Sequence, residues 1–98
     1  MHIVIRKYSG RGASALFDLF EKRTGDAQNH IGTTKGLISY TLARSADGGG
    51  FSVTVCEDES GIEDSMQKSR EWIAANAAAL GAPAPEVFEG KVLIQLKK

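Results

Sequence analysis

Side chains able to do chemistry are few and scattered in this 98-residue chain. Of its two histidines, His30 lies in a polar stretch between structured segments. It is the one evident base titrating near neutral pH that could fold over a cleft. Cys56 is the single cysteine and sits in a strand-like run. With no cation nearby in sequence to lower its pKa, it reads as a small buried hydrophobe rather than a nucleophile. The acidic residues Glu57-Asp58-Glu59 and Glu63-Asp64 cluster where a helix begins, and carboxylates there favour its positive end. Their spacing matches no metal site, so no metal ligand is assigned. Gly10-Arg11-Gly12 is too short for a phosphate loop, and no Ser-His-Asp order is present. The pattern names no catalytic residue. One pair stands apart: Trp72 and Asn76, four residues apart on a helical stretch, project together. A helix-interior asparagine needs a reason, either exposure to water or an amide turned into a cleft.

The element that must position these groups is the stretch from Gly36 to Glu57. Ile38, Tyr40 and Leu42 alternate with Ser39, Thr41 and Ala43, and Phe51, Val53 and Val55 with Ser52, Thr54 and Cys56. Alternation of period two predicts two strands, and Asp47-Gly48 in a glycine-rich turn joins them. Pairing Arg44 with Phe51 puts Ile38, Tyr40, Leu42, Phe51, Val53 and Val55 on one face, expected to pack on helices. The small polar face, Ser39, Thr41, Ala43, Ser52, Thr54 and Cys56, then lies on the open side. It lacks the charged residues of a solvated sheet, and the expectation is that a second copy covers it. A register shift of two residues keeps these faces, whereas a slip of one scrambles them.

The remaining elements follow in order. His2 to Tyr8 reads as a strand, with Ile3 and Ile5 toward the helices and Arg6 and Tyr8 toward the open side. A helix runs from about Ala13 to Arg23 on the stripe Leu16, Leu19 and Phe20, with Gly25 as its stop. Residues 26–35, DAQNHIGTTK, read as a polar loop with one apolar residue, Ile31. A second helix spans roughly Gly61 to Leu80, with Ser60 and Glu63 in the form of a capping box and Gly81 as its end. A last strand runs from about Val87 to Lys97. The order β-α-β-β-α-β predicts an α+β, ferredoxin-like single domain over residues 1–98. Its four-stranded antiparallel sheet carries two helices on one face.

Composition limits the partners. Twelve basic and twelve acidic residues give a formal net charge of zero, which argues against an electrostatic grip on nucleic acid or an anionic membrane. Val53 stands where an RNA-recognition sheet needs a stacking aromatic. No apolar stretch approaches membrane-spanning length. A lone cysteine and the lack of a secretory signal fit a cytoplasmic protein.

The run Gly36-Leu37-Ile38-Ser39-Tyr40, the Asp-Gly turn, the strand end Val53-Thr54-Val55-Cys56-Glu57-Asp58 and the helix carrying Glu71-Trp72 resemble the dimeric α/β-barrel superfamily. That superfamily includes the antibiotic-biosynthesis-monooxygenase-like proteins and many small bacterial proteins. The resemblance covers nearly the whole chain, in layout more than in motif. It implies a homodimer closed through the sheet faces, and in each protomer a cleft between helices and sheet that holds a small apolar or aromatic molecule. The alternative it implies is a cofactor-independent monooxygenase or isomerase acting on a phenolic or quinone-like substrate. Such enzymes use Asn, Trp, Tyr and Arg side chains, and Asn76, Trp72, Tyr40 and Arg6 are of those types; with His30 they are the cleft candidates. Haem-degrading members carry an Asn on strand one, a Trp and a downstream His. Here Trp72 alone has a counterpart, because strand one has no Asn and both histidines precede Trp72. No cofactor is expected.

Overall fold

The computed structural model describes residues 1–98. Strand β1 (His2–Tyr8) leads into helix α1 (Ala13–Lys22) and a second short helix, α2 (Thr24–Ile31). Strands β2 (Leu37–Arg44) and β3 (Gly50–Cys56) form the hairpin, followed by the long helix α3 (Glu59–Asn76). A 3-10 turn (Ala78–Leu80) and strand β4 (Glu86–Lys91) complete the fold. The strands form one antiparallel sheet in the order β2-β3-β1-β4, the expected ferredoxin-like arrangement. Three helices are present rather than two.

The hairpin register differs from expectation by one residue. Arg44 pairs with Gly50, Leu42 with Ser52 and Tyr40 with Thr54. Gly50 is thus a strand residue, and the turn is Ser45–Gly49, closed by Ser45 N–H donating to Gly49 O at 3.0 Å. The physical reason is local: a Cβ on Gly50 would collide with the ring of Phe17, so only glycine lets α1 lie this close to β3. An irregularity between Leu37 and Ser39 sets Ile38 out of the ladder, which returns Leu37 to the helix side.

The faces of β1 and β3 are therefore the reverse of those expected, while β2 keeps Tyr40 and Leu42 toward the helices and Ser39, Thr41 and Ala43 on the open side as expected. On the helix side the cross-strand rows are Val4-Thr54-Tyr40 and Arg6-Ser52-Leu42, and Cys56 packs with Val4 and Ile62. The open side carries Ile3-Val55-Ser39, Phe88-Ile5-Val53-Thr41 and Lys7-Phe51-Ala43. On β3 the small polar side chains, Ser52 and Thr54, face the helices, and the apolar Phe51, Val53 and Val55 face the open side. Arg6 and Tyr8, expected on the open side, are buried beneath the helices at 3% and 5% exposure.

Three further elements depart from expectation. Residues 24–31 form α2 rather than a loop, with buried Ile31 as its apolar anchor. Helix α3 starts earlier: Asp58 is its N-cap and accepts from Gly61 N–H at 3.2 Å, while Ser60 Oγ donates to Asp58 at 2.6 Å. Strand β4 ends at Lys91, and beyond it Leu93, Ile94 and Leu96 are exposed. Ile62, Ser65, Ser69 and Trp72 form the buried stripe of α3. No helix is long and apolar enough to cross a membrane.

Candidate functional site

The exchanged faces of β1 and β3 create the site. Ser52 on the sheet and Ser69 on α3 fill less space than large apolar residues would, and two cavities open beside them. The smaller, about 20 Å³, lies under α2 and α3 against Arg6, Tyr8, Tyr40 and Leu42, with room for one water-sized molecule. Trp72 closes it by stacking on Phe20, with ring centres 5.2 Å apart. The Arg23 guanidinium sits 5.5 Å from the Trp72 ring centre, a cation–π contact. The larger is a cleft of about 370 Å³ between α3 and the segment Ala82–Pro85. Met66, Ser69, Arg70 and Ile73 of α3 form one wall, and Arg6, Tyr8 and Val87 of the sheet the other. That volume is within the range of small-molecule sites.

Arg6 belongs to the walls of both cavities. All three of its guanidinium nitrogens are buried and make no hydrogen bond. The hydroxyls of Ser52, its cross-strand neighbour, and of Thr54 are also buried and unpartnered. No Asp or Glu lines either cavity. Arg70, on the cleft's other wall, has no carboxylate partner, whereas Arg23, Arg44 and Lys68 all do. Burial raises the pKa of Tyr8 and Tyr40 above the ordinary 10.0, and the charge of Arg6 partly opposes this on both. Both phenols thus stay protonated at neutral pH and can donate. The site is rich in donors and cations and lacks anions.

The five sequence candidates divide. Arg6, Tyr40 and Trp72 come together around the smaller cavity, and Arg6 alone reaches the larger. Asn76 faces neither and instead lines a separate, more open hollow of about 340 Å³ between α1 and the end of α3; its Oδ1 accepts from Arg23 at 2.6 Å and its amide donates to Trp72 O at 2.9 Å. That pair joins the junction of α1 and α2 to the end of α3. His30 also lies outside both cavities, with Nε2 3.0 Å from Lys68 O and 3.9 Å from Glu71, fastening α2 to α3. Sequence reasoning missed Tyr8, Ser52, Ser69 and Arg70. A correct β1 face would have found Tyr8, which shares parity with Arg6.

Cys56 is buried, and burial and then Asp58 and Asp64 raise its pKa. The acidic residues near it are engaged: Asp64 accepts from Lys35 N–H at 2.9 Å and from Lys68 at 3.2 Å, and Asp58 caps α3.

No protein-family model matches the chain, and no curated protein matches it. Solved structures do. The NE2512 protein of Nitrosomonas europaea, of unknown function, superposes with a TM-score of 0.70 at 17% identity, over 99% of this chain and 92% of that one. A monooxygenase from the gene ActVA-Orf6 of Streptomyces coelicolor, in complex with nanaomycin D, gives 0.64 at 20% identity over 99% and 89%. The haem-degrader MhuD of Mycobacterium tuberculosis, with two haems bound in its active site, gives 0.65 at 18% identity over 98% of each chain. This chain has their fold. It is a ferredoxin-like fold, as the order of strands and helices predicts.

Haem is a poor match to the donors present. Neither histidine lines a cavity, and Cys56 is packed in the core against Val4 and Ile62.

Proposed function

We propose that this chain binds a small apolar or aromatic molecule in the cleft between α3 and the sheet. The observation that carries this reading is the 370 Å³ cleft itself, walled mainly by apolar side chains with a few convergent polar groups. Ala74 lines it and is exposed, so Ala74→Trp fills the space without disturbing the core. Calorimetric titration with bicyclic aromatic compounds is expected to give binding that this variant loses. Binding unchanged in Ala74→Trp would remove the cleft as the site.

The protein acts as a homodimer through the open face of the sheet. Support comes from its apolar rows, in which Phe51 and Phe88 are 36% and 54% exposed. A face of this kind on a soluble chain marks an interaction surface. The exposed apolar residues after β4 add to it. Light scattering after size exclusion should give twice the chain's 10.5 kDa; a monomer at micromolar concentration would refute it.

A second reading is a cofactor-independent monooxygenase on a phenolic or quinone-like substrate. What favours it is the protonated Tyr8 and Tyr40 beside Arg6, donors placed for a developing phenolate. Oxygen uptake with a panel of hydroquinones tests it, and no uptake above the protein-free rate anywhere in the panel would contradict it.

A further inference from the structure

We infer that the cleft's ligand carries a carboxylate, held by Arg6. The inference rests on the cleft being a ligand site and names what that site recognises.

Arg6 is 3% exposed, and its three guanidinium nitrogens are buried without a well-formed hydrogen bond; the nearest acceptors are the neutral hydroxyls of Tyr8 and Tyr40, and no carboxylate is among them. A guanidinium stays protonated throughout the physiological range. Burying such a charge without a partner is costly, and folded proteins rarely keep one that only fills space. The usual remedy is a buried Asp or Glu, yet neither type lines either cavity. Around Arg6 stand other donors instead: the unpartnered Ser52 hydroxyl next to it on β3, and the neutral phenols of Tyr8 and Tyr40. Arg70, also free of any carboxylate, adds a second positive charge at the same cleft. Every polar group on these walls can donate, and the two charges are both positive. The complement is an anion with acceptor oxygens. A planar fork of N–H groups favours a planar pair of oxygens, hence a carboxylate on an apolar body.

A partner copy on the open face cannot supply this anion, because Arg6 points to the helix side of its own sheet. Entry requires a wall side chain to move, since the guanidinium nitrogens have no access to solvent. Met66, unbranched and half-buried at the cleft, is the most adaptable of them.

The test compares 2-naphthoate with its neutral counterpart 2-naphthamide, by calorimetric titration of the full chain. Wild type is expected to bind the acid at least about 30-fold more tightly than the amide, the discrimination one charge-assisted hydrogen-bonded pair provides. Arg6→Met should abolish that preference and Arg6→Lys should keep part of it, which a merely structural role would not do. Arg6→Gln serves if the methionine variant does not fold, and circular dichroism checks each. Equal affinity for acid and amide, both lost in Ala74→Trp, would overturn the carboxylate and leave the cleft standing. Failure of both compounds to bind at millimolar concentration would overturn both. Preference for the acid surviving in Arg6→Met would move the anion site elsewhere and overturn the assignment.

Discussion

Replacing Arg6 by methionine should stabilise the protein in the absence of ligand. The guanidinium is 3% exposed, with no hydrogen bond to any of its nitrogens and no carboxylate beside it. Desolvating an ion costs several kcal/mol, and nothing on these walls returns it as an ion pair. Methionine keeps most of the apolar stem and loses the charge, at the expense of some packing against Tyr8 and Leu42. The net gain is expected to be about 1–3 kcal/mol, within the range for replacing buried ionic groups by hydrophobic ones. For a domain of this size, each kcal/mol moves Tm by roughly 4–8 °C. Urea titration followed by circular dichroism, with Tm from calorimetry, reads the effect; an unchanged m-value shows that the native state is intact. A fall in stability by 1 kcal/mol or more would refute the reasoning, because it would mean that Arg6 is well satisfied within its own fold. The pairing of higher stability with lost ligand binding is the signature of a residue kept for function.

Tyr8 and Tyr40 hold their protons to higher pH in the native state than in the unfolded chain, whose value is 10.0. Their contribution is complete below the unfolded value of 10.0 and is lost as pH rises through the raised native values, so the urea midpoint should fall as pH is raised above 10. The double variant Tyr8→Phe, Tyr40→Phe should show a smaller fall, with the remainder from Cys56, raised in the same direction; an equal fall would contradict the assignment. Asp58 is held below the usual carboxylate value by Ser60 and then Gly61. Its contribution is present above the unfolded value of 3.8 and disappears as pH drops through the native one. Asp58→Ala should therefore lower Tm by a few degrees at pH 7 and by less in acid, as the native carboxylate is protonated. Val53→Lys sets a charge in the middle of the apolar open face, and light scattering should show the dimer reduced to protomers at micromolar concentration.

The topology was legible because alternation in the hairpin and the stripe Leu16, Leu19, Phe20 are strong periodic signals. The inside and outside of β1 and β3 were not, although those of β2 were. Hydrophobicity alone assigned Phe51, Val53 and Val55 to the core, an inference that assumes one buried face per domain. Here both faces of β3 are built for cover, one by helices and one by the proposed second copy. The deciding facts were the membership of Gly50 in the strand and the displaced Ile38, each a single-residue matter of register. With the register misplaced, Arg6 and Tyr8 went to the wrong side and the site could not be assembled. Asn76 and Trp72 lie on one helix flank as their spacing implies, and both meet Arg23, one through its amide and one through its ring. His30 was placed in a loop because one apolar residue in ten gives α2 almost no periodic signal.

The claim on which most else depends is that Arg6 waits for an anion. The Nε–Hε correlation of its side chain, in a nitrogen-15-edited NMR spectrum, reports on that directly. Titration with 2-naphthoate should move this resonance downfield and slow its exchange with water, while 2-naphthamide leaves it in place. A resonance indifferent to the acid at saturating concentration would contradict the account.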